Sequence, residues 1–267
     1  MIDLHSHILP GIDDGSPTLA TSIEMARMAV DDGITHMVCT PHIMPGVFEN
    51  TTSTIEQATE HLRYELLNRD IPLELYVGAD VHIAPNLPER LAFGDVPTLN
   101  GTRYFLFEPP HHVLPPRIGD LVARLMRQGF VPVLTHPERM TWIETHYEMV
   151  VQLNDLGCLL QLTAESITGA FGRAARINSE KLLAEGRVAV VATDAHGTKA
   201  RRPCLSRARA GLATLVGEEE ADNMVIFRPA AILADEPMPQ ICRPEKAQKS
   251  GPERQGVLDR LFSGGAS

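Results

Sequence analysis

The chain has 267 residues, 43% of them apolar and 22% charged, with a formal net charge of −10 and a pI near 5.5. That length and apolar share suit one globular domain with a sizeable core, and an α/β barrel of this size is common. The acidic balance argues against nucleic acid as a general partner and against an anionic membrane face. An anionic substrate would then need local positive charge from metal ions or a few arginines.

Short apolar runs rich in β-branched residues predict strands over 2–4, 36–40, 73–81, 104–107, 131–135, 158–162 and 187–193. Between them, amphipathic stretches predict helices over 18–32, 51–68, 117–128, 141–156 and 178–185. Gly33, Gly129, Gly157 and Gly186 stand just before the following strands, where a helix C-terminus needs a left-handed residue. Strands alternating with helices imply a parallel sheet, open or closed into a barrel. There is no GxGxxG after the first strand and no GxxxxGK[ST], so the nucleotide-binding doubly wound sheet loses its main support. From about 236 the composition turns to Pro, Lys, Gln, Ser and Gly and ends in an apolar patch of Val257, Leu258, Leu261 and Phe262. We therefore expect a domain over 1–235 and a flexible tail over 236–267. Cys39, Cys158, Cys204 and Cys242 form no CxxC pair, which argues against a disulfide framework or a thiolate zinc site, and none heads a C-x5-R loop. No apolar run approaches the roughly 20 residues that span a bilayer, and no targeting segment opens the sequence, so the expected setting is cytoplasmic without membrane insertion.

The chemistry gathers at the C-terminal ends of the predicted strands. The first runs into His5-Ser6-His7 and then Asp13-Asp14; the second ends at His42, the third passes Asp80 and the fourth ends at Glu108. The fifth ends His136-Pro137-Glu138-Arg139 and the seventh ends Asp194-Ala195-His196, whereas the sixth, ending Gln161-Leu162-Thr163, offers no obvious ligand. In a barrel these ends converge on the face where active sites lie. Residues two apart on a strand point the same way, which pairs His5 with His7 and Asp194 with His196. Each signal alone has a plainer explanation: a lone histidine at a strand end is more often a hydrogen-bonded loop residue, and an Asp-x-His pair often orients itself. Six of seven strand ends carrying a ligand type make a metal site the better reading. Imidazoles and carboxylates without thiolates suit Mn, Fe or Zn over Ca. His61 and His146 fall on helices, His36 lies on the far side, and His111 and His112 read as surface-loop residues; His82 shares a face with Asp80 as an outlying candidate.

The blocks "DLHSHILPGIDDG", "TPH", "VGAD", "LFEPP", "THPER" and "TDAHG" resemble the PHP (polymerase and histidinol phosphatase) superfamily, and within it the CpsB/CapC/YwqE-type bacterial tyrosine-protein phosphatases. The resemblance covers roughly residues 1 to 228. It implies a single-domain, distorted (β/α)7 TIM-like barrel with three divalent metal ions, commonly manganese or iron. It further implies that His5, His7 and Asp194 hold the first ion, with Asp80 bridging to a second completed by Glu108 and His136. Asp14, His42 and His196 would hold the third. Arg139 would bind phosphate, joined by Arg201 or Arg202, of which Arg202 is preferred because it precedes Pro203. Arg139 and Asp80 are the residues expected to act in catalysis, a hydroxide held between the first two ions attacking phosphorus. The bridging position is typically Glu in such proteins, and here it is Asp80, one methylene shorter. The expected substrate is a phosphotyrosine protein, and the resemblance suggests a bacterial tyrosine kinase controlling capsule or exopolysaccharide synthesis. The alternatives are another PHP phosphoesterase, such as a histidinol-phosphate phosphatase, and a metal-binding regulator with little catalysis.

Overall fold

The computed structural model describes residues 1–241. It opens with β1 (Ile2–Ser6), α1 (Leu19–Asp31), β2 (His36–Cys39), β3 (His42–Ile43), α2 (Thr52–Leu67), β4 (Glu74–Val77), β5 (Asp80–His82) and α3 (Leu87–Phe93). There follow β6 (Tyr104–Glu108), α4 (Ile118–Arg127), β7 (Val131–Thr135), α5 (Tyr147–Asp155), β8 (Leu159–Thr163), α6 (Ala164–Thr168) and α7 (Gly172–Ala184). The last elements are β9 (Val188–Ala192), α8 (Ser206–Val216), α9 (Glu218–Asp222), a π-helical turn over Asn223–Phe227 and α10 (Arg228–Ala234).

All strand pairs are parallel. One sheet runs β1-β2-β4 and the other β3-β5-β6-β7-β8-β9. The expected second and third strands are each interrupted: Thr40-Pro41 separates β2 from β3, and Gly78-Ala79 separates β4 from β5. Seven strand positions result, closed where Ser6 bridges Ala195 beside β9, and the gap between β4 and β6 is what distorts the barrel. Gly78 permits the second break, because a Cβ there would lie 2.7 Å from Val38 Cγ1 and 3.0 Å from Leu99 Cδ2. Leu4, Val38, Leu106, Val133 and Val190 fill the interior, and a larger layer including Met37, Phe105, Phe107, Leu134 and Val191 packs between strands and helices. The strands are thus buried on both faces, which is why they read as continuous apolar runs.

One irregularity places the site. Asp3 of β1 pairs with Met37 but Ser6 pairs with Cys39, so β1 carries one residue more than β2 across that interval. Such a bulge puts two consecutive side chains on one side: Leu4 joins the interior cluster, and His5 faces the interior as well, bonded to Gln161. Regular alternation would have turned His5 outward. Asp3, fully buried, ties this stretch to the last strand position by accepting hydrogen bonds from the Thr193 backbone and hydroxyl.

Two sequence expectations shift. The helix expected over 141–156 begins only at Tyr147, because 141–146 forms turns in which Thr141 N and Trp142 Nε1 donate to the His111 and Pro110 carbonyls. Where the tail was expected to start, Met238 and Ile241 pack on the interior cluster, and Arg228 donates to the Pro239 and Gln240 carbonyls. The rest of the expected tail lies outside the described residues. Arg228 is fully buried, pairs with both oxygens of Glu220 at 2.8 Å and reaches the Ala189 carbonyl. Replacing it with alanine strands a buried carboxylate; we expect Arg228→Ala to cost about 3–5 kcal/mol in urea unfolding, and Glu220→Leu/Arg228→Leu to recover part of it.

Candidate metal centre

Nine ligand-type side chains converge on the C-terminal end of the barrel: His5, His7, Asp14, His42, Asp80, Glu108, His136, Asp194 and His196. Eight of them are buried or nearly so, while the Asp14 side chain is 53% exposed at the rim. His5 Nε2 lies 3.1 Å from His7 Nε2, 3.3 Å from Asp194 Oδ1 and 3.5 Å from Asp80 Oδ2. His42 Nδ1 is 3.4 Å from both Asp80 Oδ2 and Glu108 Oε2, and its Nε2 is 3.6 Å from Asp14 Oδ1. His136 Nε2 lies 3.4 Å from Glu108 Oε1, and His196 Nε2 lies 3.4 Å from Asp14 Oδ1.

These atoms form overlapping groups able to surround a cation: His5, His7 and Asp80; His7, Asp14, His42 and His196; His42, His82 and Glu108; and Glu108, His111 and His136. The grouping differs from the expected partition in three ways. His7, His42 and Glu108 are each shared between groups, His82 and His111 enter beside Glu108, and Asp194 enters none of the groups, although its Oδ1 lies 3.3 Å from His5 Nε2 and 3.4 Å from His7 Nε2. His111, expected in a surface loop that could border the site, does border it: the Thr141 N to His111 O bond holds its loop, and its Nε2 lies 3.3 Å from Glu108 Oε1.

Hydrogen bonds behind the ligands fix which imidazole nitrogen faces inward. His5 Nδ1 donates to Gln161 Oε1 (2.8 Å), His7 Nδ1 to Asp13 Oδ2 (2.7 Å) and His196 Nδ1 to the Asp194 carbonyl (2.9 Å). Each bond turns Nε2 into the centre, the arrangement typical behind metal-bound histidine. Gln161 fills the strand end that offered no ligand. Asp13 also accepts from the His42 and Gly15 backbone N–H groups, and a Cβ at Gly15 would collide with the His7 carbonyl and Cβ. The IDDG turn therefore needs glycine to bring Asp13 under His7 and Asp14 to the rim.

The electrostatics are those of a cation site. Both Asp80 oxygens, Asp194 Oδ1, His42 Nδ1, His136 Nδ1 and His196 Nε2 are buried without a hydrogen-bond partner, while Glu108 Oε2 is met by His82 Nε2, an arrangement too costly to leave uncompensated. Burial disfavours charge on His5 and His42, yet Asp194 and Asp80 raise His5 to about 9, and Asp80 with Glu108 and Asp14 raises His42 to about 10. Burial and Arg139 push His136 down to about 3; burial and His7 push His196 down to about 4. Burial alone would raise Asp80 and Asp194, but neighbouring imidazoles hold both well below the usual carboxylate range. Two facing Nε2 atoms 3.1 Å apart need a proton or a cation between them, and that spacing matches adjacent ligands on an ion bound at about 2.1 Å. The nitrogen and oxygen donors fit divalent transition metals. His136, Asp194 and Arg201 hold left-handed backbone at φ 35°, 52° and 49°, a strain of about 1–3 kcal/mol each that clusters at functional sites.

The arginines divide differently from expectation. Arg139 Nη1 contacts Asp194 Oδ2, as does Arg201 Nη2 at 2.6 Å. Arg202, the preferred residue, instead lines an outer cleft with Met28, Asp31 and Asp32. The loop after His196 doubles back, with His196 N and Gly197 N both donating to the Arg201 carbonyl, so Arg201 is the one returned to the centre.

The family described as "Capsular polysaccharide synthesis, CpsB/CapC" matches residues 1–234. The chain is 37% identical over 201 residues to the tyrosine-protein phosphatase YwqE of Bacillus subtilis, covering 75% of this chain and 79% of that protein. It is 28% identical over 242 residues to the tyrosine-protein phosphatase CpsB of Streptococcus agalactiae, covering 87% and 98%. A crystal structure from work on YwqE of Bacillus subtilis and CpsB of Streptococcus pneumoniae, described as unique metal-dependent tyrosine phosphatases, superimposes with a TM-score of 0.87 at 33% identity, covering 91% of this chain and 99% of that one. With its barrel, its histidine-rich centre and this match along nearly all described residues, the chain belongs to the CpsB/CapC capsular polysaccharide synthesis family.

Proposed function

We propose that the protein hydrolyses phosphotyrosine in proteins with three divalent cations, manganese foremost, with iron or zinc as the other fitting ions. The observation that carries this reading is the concentration of unpartnered ligand atoms around Asp80, Glu108 and Asp194, with two arginines converging on Asp194 at its edge. The likeness to metal-dependent tyrosine phosphatases supports it. Family membership in capsular polysaccharide synthesis supports a phosphotyrosine protein of that process as substrate, and we infer a tyrosine autokinase. We place the reaction in the cytoplasm; among the described residues no helix is long and apolar enough to cross a membrane.

His5, His7, Asp80 and Asp194 would hold one ion, Asp80, Glu108 and His136 a second, and Asp14, His42 and His196 a third. Such ions supply a nucleophile at neutral pH and positive charge for the phosphoryl oxygens. The chain's own residues do the rest. The fixed guanidinium forks of Arg139 and Arg201 can grip phosphoryl oxygens while Asp194 holds their orientation. Asp80 Oδ2 lies 3.5 Å from His5 Nε2 and 3.4 Å from His42 Nδ1, so this carboxylate, one methylene shorter than Glu, still reaches both sides of the centre. A tyrosyl leaving group, with a free pKa of about 10, departs with little proton donation, consistent with a centre in which Asp14 is the one ligand-type carboxyl open to solvent.

Chelation followed by gel filtration should abolish hydrolysis of a phosphotyrosine peptide, and added Mn should restore it while histidinol phosphate and nucleotides turn over far more slowly. Restored activity on histidinol phosphate alone would overturn the substrate assignment. Arg139→Ala and Arg201→Ala should each lower kcat/KM by about 10²–10³-fold, whereas Arg202→Ala should stay within about twofold of wild type. His136→Ala with full activity and normal metal content would contradict the assigned ligand set.

A further inference from the structure

A cavity of about 440 Å³ adjoins the metal centre on the side of β7 and β8, within the size range of ligand pockets. It reaches the centre at two points: His111, 3.3 Å from Glu108, and Arg139, which contacts Asp194. Away from those residues Met140, Phe171 and Ala174 form an apolar strip on its wall, beside the polar Thr141, Glu144 and Asn178. The Arg139 guanidinium carbon lies 4.2 Å above the centre of the partly exposed Phe171 ring. The apolar strip and the Phe171 ring are not required to bind cations.

The wall is rigidly tied to the phosphate-binding arginine. Glu138 Oε1 accepts from the Thr163 N–H and the Ser166 hydroxyl at the start of α6, and Asn178 of α7 donates to the Glu138 carbonyl. Phe171 sits at the corner between α6 and α7, so the loop carrying Arg139 and the corner carrying Phe171 are joined on both sides. In a phosphotyrosine the ring is attached directly to the phosphoryl oxygen. With the phosphoryl group at Arg139, that ring must lie within a few ångströms of the guanidinium, and the cleft with the Phe171 ring on its wall begins there. Seryl or other alkyl esters would place only a methylene group in the same space.

We propose that this cavity is the subsite for the aryl ring of the ester and that Phe171 is its specificity-determining wall. The inference rests on the proposed tyrosine phosphatase reading but is testable apart from turnover, by calorimetric binding of phenylphosphonate and methylphosphonate to the Mn-loaded protein. Wild type should bind phenylphosphonate about tenfold more tightly, in the range of one aromatic contact with its buried area. Phe171→Ala should reduce that ratio to about twofold or less and leave methylphosphonate affinity unchanged, and Phe171→Tyr should restore the ratio. A ratio unaffected by Phe171→Ala would overturn the proposal. So would a parallel loss for both ligands, since Phe171 would then serve only to hold Arg139. Wild type that shows the aryl preference yet hydrolyses neither phosphotyrosine nor phosphoserine peptide would refute the activity reading and leave the subsite standing.

Discussion

Asp80, Glu108 and Asp194 are buried together at one end of a barrel, and this constraint organises the rest of the structure. Three carboxylates out of water and within reach of one another carry a large desolvation cost unless positive charge is placed among them. The imidazoles of His5 and His42 supply part of it as far as protons are available, which is why both are held protonated well above the usual histidine range. Protons alone leave both Asp80 oxygens and one oxygen of Asp194 without hydrogen bonds. Divalent cations meet the same charges with better geometry. Gln161 and Asp13 hold Nε2 of His5 and His7 facing inward, so the rings are oriented before any ion arrives.

Asp194 joins the two halves of the chemistry. Its Oδ1 faces His5 and His7, and its Oδ2 receives both Arg139 and Arg201. One carboxylate therefore links the metal ligands to the groups suited to a phosphoryl anion, and it does so from a left-handed backbone conformation that aspartate tolerates better than most residues. On an acidic chain, the attraction for an anionic substrate is concentrated at this point. The aromatic wall of Phe171 extends the same arrangement outward by one residue contact.

Much of this was legible in the sequence, for identifiable reasons. Strands buried on both faces gave unbroken apolar runs, and helices closing on Gly33, Gly129, Gly157 and Gly186 marked the alternation of a barrel. Ligand-type residues at strand ends pointed to one face because parallel strands all end there. What stayed hidden depended on register or on long-range contacts. The bulge that turns His5 inward is set by pairing with β2 and leaves no compositional trace. Gln161 is no metal ligand by type, and the doublet Asp13-Asp14 gives no sign of which residue supports His7 and which faces the rim. Arg201 and Arg202 are adjacent, and only the fold of the loop after His196 separates them. His111 looked like a loop residue because its position depends on a bond to Thr141, 30 residues away.

The most direct measurement is anomalous diffraction from crystals of the Mn-loaded protein at the manganese edge. The expected result is three peaks: one among His5, His7, Asp80 and Asp194, a second between Asp80, Glu108 and His136, and a third among Asp14, His42 and His196. Absence of density at Asp80, or peaks confined to surface carboxylates, would contradict the claim that a cation centre at the barrel's end organises this protein.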